Sequence, residues 1–310
     1  MDFIQTINES GREWILPKRI QIEVAYGCNA DCIMCPVHMK SERKKGIMDN
    51  ALFEKIIDAL EPYKGKIEKV DLWGLGEPLL DNALFQKISY AKLKGFRNIA
   101  IATNGELLGD EVQNKLLQSG IDTIIFSIDG IKAETHETIR KRLNYVTIVK
   151  NAKSMIQKRN MHGYKTKFVF RFIRQALNKS EWELYKNFWS DLISKEHLDV
   201  IIGYDMHTWG GEINSKTEYD LEDKKISMMP CHHVWDRLMI LRDGQVPLCC
   251  ADMHHARYSY GNVLLDSPLE IFNNSRIRSI RTLHVQGKKN LMDICKNCTI
   301  LHSEQAQEIL

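Results

Sequence analysis

The chain contains no apolar run long enough to cross a bilayer, which would require about 20 consecutive apolar residues. Its first 19 residues mix Asp2, Glu9, Arg12 and Glu13 among the apolar ones, so they lack the hydrophobic core of a secretory signal. The formal net charge of +3 is small and spread along the chain, and it gives no support for a nucleic-acid or membrane partner. These absences predict a cytoplasmic protein.

Cysteine is scarce, with eight residues in 310, and there is no export signal that would place them in an oxidising compartment. Disulfides are therefore not expected. A hydrophobic content of 44% and a charged content of 27% are ordinary for a globular protein of one large domain with an appendage, or of two domains. The cysteines are candidates for metal ligands and reactive thiols.

Three cysteines form the sequence Cys28-Asn-Ala-Asp-Cys32-Ile-Met-Cys35, directly after an apolar run over 20–26. Three thiolates in one loop can hold three irons of a 4Fe-4S cluster, which leaves the fourth iron open to a small molecule. The alternative is zinc, with His38 as the fourth ligand. The strand before the loop and the motifs after it favour the cluster.

Residues 19–204 alternate between predicted strands and helices. Apolar runs predict strands over 20–26, 69–73, 97–103, 123–128, 167–173 and 198–203, and helical periodicity predicts helices over 52–60, 83–94, 110–119, 146–158 and 180–194. This alternation predicts parallel strands joined by right-handed crossovers. Since six units are too few for an eight-stranded barrel, the predicted fold is α/β, an open partial (β/α)6 barrel.

Polar motifs follow three of these strands. Gly-Leu-Gly-Glu-Pro occupies 74–78, Thr-Asn-Gly occupies 103–105, and Ser-Ile-Asp-Gly occupies 127–130. Functional groups of such folds gather at the carboxyl ends of the strands. We therefore expect the three motifs to face the cysteine loop.

Together the loop and the motifs resemble the radical S-adenosylmethionine (SAM) superfamily, and the resemblance covers nearly the whole chain. In that superfamily the amino and carboxylate groups of SAM fill the open iron site, and an electron from the cluster cleaves the sulfonium to give a 5'-deoxyadenosyl radical. The resemblance implies that Cys28, Cys32 and Cys35 ligate the SAM-binding cluster.

The resemblance also implies a SAM-binding set. Gly76, Glu77 and Pro78 resemble the element whose backbone and glutamate hold the SAM ammonium, with Leu75 in place of its first glycine. Met34 stands where an aromatic residue often packs near the adenine. The expected contacts with the ribose and the methionine part are Asn104, Ser127, Asp129 and Arg140. Taken alone, Ser127 and Asp129 would equally serve as helix caps.

A second cysteine group follows a polar segment, 205–230, that is predicted to be a linker. Cys231, Cys249, Cys295 and Cys298 resemble the first half of a SPASM domain, in its shortened form called a twitch domain. The resemblance implies a closed auxiliary 4Fe-4S cluster in a small α+β domain over 231–300, followed by a polar tail over 301–310. Zinc is again the alternative.

The N-terminal extension, 1–18, is too short for a separate domain that would bind a leader peptide. This counts against a peptide substrate.

Cys250 is left over when the two ligand sets are assigned. On a strand it would point away from its neighbour Cys249 and can face the cavity between the two clusters. Thiols of radical SAM epimerases donate a hydrogen atom to the substrate radical from such a place. The alternative is a buried, unreactive thiol.

Several further residues are candidates for the cavity wall, although large aromatic residues are also common in cores. The aromatic ones are Trp73, Trp209 and Trp235. Three residues after the last predicted strand would suit a cationic substrate: Asp205, His207 and Glu212. The histidine pairs at 232–233 and 254–255 are proton acceptors, core residues or surface residues.

The sequence thus predicts a radical SAM enzyme that abstracts hydrogen from a small polar substrate, an aminosugar, aminocyclitol or aminoglycoside, and completes epimerisation with hydrogen from Cys250. Two alternatives keep the radical: a dehydrogenase that passes an electron to the auxiliary cluster and makes a ketone, and a peptide-modifying enzyme. A non-enzymatic iron-sulfur or zinc protein would leave the motif at 76–78 unexplained. The expected reductant is a flavodoxin or a ferredoxin.

Overall fold

A computed structural model describes residues 4–9, 11–213, 229–305 and 307–309. Residues 214–228 of the predicted linker lie outside the described residues, as do residues 1–3 and 10 of the predicted N-terminal extension and residues 306 and 310 of the predicted tail.

The strands of the described residues are β1 (Thr6–Glu9), β2 (Arg12–Ile15), β3 (Arg19–Ile22), β4 (Ala25–Tyr26), β5 (Asp31–Cys32), β6 (Gly46–Ile47), β7 (Lys69–Asp71), β8 (Ile99–Thr103), β9 (Thr123–Ser127), β10 (Arg140–Lys141), β11 (Lys167–Arg174), β12 (Val200–Asp205), β13 (Arg237–Ile240), β14 (Gln245–Val246), β15 (Gly261–Asn262) and β16 (Glu308–Ile309). Eight of them form the central sheet, in the order β13, β3, β7, β8, β9, β11, β12, β16. Neighbours are parallel except for the antiparallel pair of β12 and β16.

The α/β prediction of an open partial barrel is confirmed. Six neighbouring strands of the sheet, β3, β7, β8, β9, β11 and β12, are the predicted strands in chain order. The first predicted strand ends at Ile22, and its last two residues form the separate short strand β4, which pairs with β6.

The helices of the described residues are α1 (Asn50–Leu60), α2 (Leu84–Leu93), α3 (Asp110–Gln118), α4 (Ala133–Ile139), α5 (Tyr145–His162), α6 (Trp182–Ser190), α7 (His233–Asp236), α8 (Pro268–Ile271), α9 (Ser275–Val285), α10 (Asp293–Lys296) and α11 (Ile300–Gln305). The sequence predicted α1, α2, α3, α5 and α6 and missed α4. Helix α5 ends where Gly163 adopts a φ of +67°, a left-handed conformation that glycine adopts readily. None of the described helices has the length and apolar composition that crossing a bilayer requires.

The two faces of the sheet differ in what covers them. In β11, Phe168, Phe170 and Phe172 are fully buried, and the Phe170 ring stacks on Trp189 of α6 with centroids 4.0 Å apart. The alternate residues of the strand, including Lys167 and Arg171, line a cavity. Helices therefore cover one face of the sheet, and the other face is the wall of the cavity.

Strands from the C-terminal part complete both edges of the sheet. β13 pairs with β3, and β16 pairs with β12. The Glu308 carboxylate accepts hydrogen bonds from Trp182 Nε1 at 2.8 Å and Lys186 Nζ at 2.9 Å. The predicted polar tail thus contributes most of α11 and a strand of the central sheet. The domain boundaries themselves stay a prediction.

Candidate active site

A cavity of about 570 Å³ lies between the inner face of the sheet and the C-terminal part of the chain. Its volume falls within the range of pockets for small molecules. Cys28, Cys32 and Cys35 line it from one side and Cys250 from the other. The cavity therefore joins the two regions that the sequence singled out.

Neighbouring hydrogen-bond donors fix the cysteine loop. Strand β5 pairs with β10, which places Cys32 opposite Arg140, and Arg140 Nη1 lies 3.7 Å from Cys32 Sγ. The Ala30 amide donates to Cys28 Sγ at 3.4 Å. Such donors stabilise the thiolate form that binds a metal.

The burial of these thiols bears on what can bind them. Burial raises the pKa of Cys28 to about 11 and that of Cys35 to about 12. A thiolate in such a place at neutral pH needs a strongly cationic partner, such as iron. Three thiols on one cavity wall fit a cluster that keeps one iron open.

Gly76 brings the second motif against the cysteine loop. Gly27 and Gly76 form a parallel bridge, and the Glu77 amide donates to the Gly27 carbonyl at 2.9 Å. A Cβ atom on Gly76 would lie 2.5 Å from the Ala25 carbonyl oxygen and 2.6 Å from that of Gly27. Only glycine fits this close approach.

Glu77 is a buried carboxylate at the cavity wall. It accepts hydrogen bonds from Thr103 Oγ1 at 2.7 Å and from the amides of Asn104 at 2.8 Å and Leu79 at 3.2 Å. Burial raises the pKa of Glu77 to about 7. A carboxylate held in this way suits an ammonium group of a ligand, which would favour its ionised form.

Three more of the expected SAM contacts line the same cavity. Asn104 Nδ2 donates to Asn29 Oδ1 at 2.8 Å, which ties the strand end to the cysteine loop. Ser127 Oγ accepts from Arg171 Nη2 at 2.6 Å. The Met34 carbonyl accepts from Trp209 Nε1 at 2.9 Å.

Two expected contacts, Pro78 and Asp129, are not in the cavity wall. Pro78 begins the 3-10 turn Pro78–Leu80 behind it. Asp129 is fully buried and accepts from Arg140 Nε at 2.8 Å and from the Ile173 amide at 2.7 Å. Its observed role is to position Arg140, which does line the cavity.

The four auxiliary cysteines, Cys231, Cys249, Cys295 and Cys298, lie together. Burial, followed by the charge of Cys298, raises the pKa of Cys231. Burial, followed by the charge of Cys250 and then by those of Cys298, Cys295 and Cys231, raises the pKa of Cys249. The Cys231 amide donates to His284 Nδ1 at 3.1 Å, and Cys295 Sγ lies 3.9 Å from Nε2 of the same ring. A buried set of four thiols fits a closed 4Fe-4S cluster.

Cys250 differs in part from its prediction. It begins a 3-10 turn, Cys250–Asp252, and is not on a strand. The Asp252 carboxylate accepts from the amides of Leu248 at 3.1 Å and Tyr258 at 3.0 Å, and these bonds curl the chain. Even so, Cys250 lines the cavity, whereas Cys249 is not in its wall.

The surroundings of Cys250 keep it neutral. Its Sγ atom lies 3.6 Å from His233 Nδ1. Burial raises the pKa of Cys250 to about 12. A thiol with an intact S–H bond has a hydrogen atom to give, and a thiolate has none.

A chain of polar residues continues from His233. His233 Nε2 lies 2.8 Å from Glu304 Oε1, and His232 Nε2 lies 2.9 Å from Glu304 Oε2. His232 Nδ1 in turn lies 2.8 Å from Asp236 Oδ2. The sequence offered His232 and His233 as candidates, but nothing in it linked them to Glu304, some 70 residues away.

Only some of the further residues predicted for the cavity wall lie in it. Trp73, Trp209, Asp205 and His207 line the cavity, and Trp235 is in the core. Glu212 pairs outside the cavity wall, with His255 at 3.3 Å and Arg257 at 3.2 Å.

Sequence reasoning missed a set of basic residues in the wall: Arg19, Lys69, Lys167, Arg171 and Arg237. One signal was present in the sequence, the strict alternation of basic or aliphatic residues with phenylalanine over 167–173.

Comparison with known proteins gives two family matches. The model described as the radical SAM superfamily matches residues 22–171, and the SPASM model, described as an iron-sulfur cluster-binding domain, matches residues 231–299.

Two curated relatives are similar over part of the chain. The tungsten-containing aldehyde ferredoxin oxidoreductase cofactor-modifying protein of Pyrococcus furiosus is 34% identical over 112 residues, 36% of this chain and 31% of that protein. The AdoMet-dependent heme synthase of Methanosarcina barkeri is 33% identical over 124 residues, 40% of this chain and 34% of that protein. The matched segment thus spans about a third of the length of these relatives.

Solved structures share the fold over most of the chain. BtrN in complex with AdoMet and 2-DOIA has a TM-score of 0.62 at 19% identity and covers 91% of this chain and 93% of its own. SuiB of Streptococcus suis bound to S-adenosylmethionine has a TM-score of 0.68 at 14% identity and covers 87% and 69%. The protein anSMEcpe with bound AdoMet has a TM-score of 0.65 at 16% identity and covers 91% and 86%.

Proposed function

We propose that this chain, which belongs to the radical SAM superfamily, removes a hydrogen atom from a carbon of a small polar substrate. Cys250 then donates a hydrogen atom to the opposite face of the same carbon. The two family matches indicate SAM and two 4Fe-4S clusters as its cofactors. When bound, the first cluster and SAM supply the 5'-deoxyadenosyl radical that abstracts the hydrogen.

The chain's own residues would hold these groups as follows. Cys28, Cys32 and Cys35 would ligate the first cluster on the cavity wall. Glu77 would accept a hydrogen bond from the amino group of SAM, and Arg140, positioned by Asp129, would meet its carboxylate. The four auxiliary cysteines would close the second cluster outside the cavity wall.

The observation that carries the proposal is the place of Cys250. It faces the same cavity as the SAM-side residues, and burial raises the pKa of its thiol, which favours the protonated form. Hydrogen transfer would form a C–H bond on the substrate and break the S–H bond. This leaves a thiyl radical on Cys250, which one electron from the external flavodoxin- or ferredoxin-type reductant and one proton from water would convert back to the thiol.

The substrate and the outcome are further parts of the proposal. The sequence favoured an aminosugar, aminocyclitol or aminoglycoside, and the cavity volume supports a small molecule. A dehydrogenase that makes a ketone is the second candidate, because the auxiliary ligand Cys249 directly precedes the cavity residue Cys250, and because BtrN, which has this fold, is seen with AdoMet and 2-DOIA. SuiB bound to its precursor peptide keeps peptide modification as a third candidate.

The decisive experiment is anaerobic incubation of the reconstituted enzyme with SAM, a reductant and candidate substrates in heavy water. Epimerisation predicts 5'-deoxyadenosine and a product that gains one deuterium at one stereocentre, because a thiol exchanges its hydrogen with water. A ketone without deuterium would favour the dehydrogenase. Intact SAM in protein with about eight irons per chain, the sum of two four-iron clusters, would refute the proposal.

A further inference from the structure

Three cations stand side by side on the cavity face of the sheet. Arg237, Arg19 and Lys69 are the first residues of β13, β3 and β7. The parallel register places Arg237 opposite Arg19, and Arg19 opposite Lys69. Adjacent strands are about 4.8 Å apart, so the row holds three positive side chains at the same level. We call these residues the basic row.

Like charges directly opposite each other on neighbouring strands destabilise a sheet unless something compensates them. Asp71 compensates part of the row. Its carboxylate lies 3.2 Å from Arg19 Nη2 and 3.0 Å from Lys69 Nζ, and it is fully buried. One carboxylate thus serves two cations, and two of the three positive charges of the row remain uncompensated by it.

Arg237 is next to carboxylates that have other partners. Asp236 pairs with His232, and Glu304 pairs with both His232 and His233, each at 2.8–2.9 Å. Among the described residues, no carboxylate lies within 4 Å of the Arg237 guanidinium. Within the described part of the chain, Arg237 therefore reaches the cavity without a carboxylate in ion-pair contact.

Arg171 adds a further cation from β11, on the same cavity wall. Its one side-chain hydrogen bond among the described residues goes to the neutral Ser127 Oγ at 2.6 Å. The nearby acid Asp129 is already paired with Arg140. The Nε atoms of Arg19, Arg171 and Arg237 are all buried, and none of them has a hydrogen-bond partner in the part of the chain that the structure describes. Burying such donors is costly unless a ligand or water satisfies them or their neighbouring nitrogens.

We propose that the substrate carries an oxyanion, a phosphate or a carboxylate, that Arg19, Arg171 and Arg237 bind inside this cavity. Arginine is the side chain best suited to such a group, because its planar fork can bind two oxygens at once. At the basic row, an amine-rich aminoglycoside would instead meet charges of its own sign. The inference rests on the proposed function, and it replaces the cationic substrate class with an anionic one.

The place of Arg237 also orients the substrate. Arg237 directly follows helix α7, whose His233 Nδ1 lies 3.6 Å from Cys250 Sγ, and both Arg237 and Cys250 line the cavity. The first-cluster cysteines lie on the other side of the same cavity. An anion on the basic row therefore leaves the rest of the substrate between Cys250 and the SAM side, where a carbon can meet both.

The test compares four sugars of similar size on the anaerobic, SAM-loaded holoenzyme at fixed ionic strength: glucose 6-phosphate, glucuronate, glucose and glucosamine. Calorimetry is expected to show at least one anionic sugar binding about tenfold or more tightly than glucose, with glucosamine weakest. The comparison of glucose 6-phosphate with glucuronate shows whether the site prefers a phosphate or a carboxylate. Tighter binding of glucosamine, or no binding of either anionic sugar and of inorganic phosphate, would overturn the inference.

Single variants test whether the preference for an anionic sugar depends on the cavity arginines. Arg237→Gln and Arg171→Gln are each expected to lose about tenfold in affinity for the anionic sugar and little for glucose. Arg276→Gln removes an exposed arginine of α9 and should leave binding unchanged. Equal affinity in all three variants would refute the inference.

The same preparations separate this inference from the proposed function. 5'-Deoxyadenosine formation without anion binding would refute only the oxyanion site. Anion binding with intact SAM would refute only the radical function.

Discussion

Arg140 contacts Asp129 through two nitrogens, with Nε and Nη2 both 2.8 Å from Asp129 Oδ2. The side chains are 9% and 0% exposed, so this is a buried ion pair. Through Nη1 the same guanidinium reaches Cys32 Sγ at 3.7 Å. The pair thus links a strand end of the sheet to the cluster loop.

Asp129→Asn should destabilise the protein strongly, since it leaves the Arg140 charge buried without its partner. Removing one partner of such a pair costs roughly 3–5 kcal/mol. Thermal unfolding followed by circular dichroism measures the loss. Glu111→Gln breaks the exposed pair of Glu111 with Lys115 and is the matched control, with little change in Tm expected. Equal Tm values for the two variants would show that Asp129 is not needed to hold Arg140.

Gly76→Ala should detach the second motif from the cysteine loop, because its Cβ atom would lie 2.5 Å from the Ala25 carbonyl oxygen. We expect the iron content after reconstitution to fall from about eight to about four per chain, with the auxiliary cluster retained. Gly65→Ala is the control, since no atom of the described residues lies within 4 Å of a Cβ atom there. Full iron content and normal SAM binding in Gly76→Ala would contradict the close-approach argument.

The affinity of the protein for SAM should depend on pH because of the raised pKa of Glu77. Burial raises its pKa from 4.5 to about 7, and only the ionised form pairs with an ammonium group. The affinity of the holoenzyme for SAM should therefore rise about tenfold from pH 6 to pH 8. Glu77→Gln should bind SAM more weakly and show only the pH dependence of SAM itself. Identical profiles for both proteins would exclude Glu77 from the SAM site.

The raised pKa of Glu77 also determines how the free energy of unfolding changes with pH in the absence of SAM. Between the unfolded pKa of 4.5 and the folded value of about 7, the folded protein keeps a proton on Glu77 that the unfolded chain has released. The contribution of Glu77 to the free energy of unfolding is therefore present below this window and is lost as the pH rises through it. Denaturant titrations at several pH values, compared with Glu77→Gln, measure it.

Cys250→Ala should separate radical formation from hydrogen return. The variant is expected to keep about eight irons per chain and to form 5'-deoxyadenosine, because Cys250 belongs to neither ligand set. The product should lack the solvent deuterium that the native enzyme introduces. Mass analysis of the product in heavy water decides this. Full epimerisation with deuterium incorporation by Cys250→Ala would show that another group is the donor.

The barrel was predictable because each of its strands and most of its helices leave a local pattern of apolar residues. β11 is the clearest case, with phenylalanine on one face of the strand. The edge strand β13 was not predictable, because its pairing with β3 joins residues more than 200 positions apart and β13 has only four residues. Local periodicity does not encode such a pairing.

Site residues that belong to a motif of fixed spacing were predictable from the sequence. Site residues that only the strand topology brings together were not. Ser127 and Asp129 have the same strand-end signature, yet Ser127 lines the cavity and Asp129 is buried behind Arg140. Cys250 was expected on a strand, but the carboxylate of Asp252 turns the chain there. The basic row was invisible because its members come from three distant strands, each contributing its first residue.

The pairing of β13 with β3 means that the two family matches share one sheet. A fragment that ended before residue 231 would leave the β3 edge without its hydrogen-bonded neighbour. Bare strand edges of this kind join to one another and drive aggregation. The radical-forming half of the protein therefore cannot be dissected from its auxiliary half without making it prone to self-association.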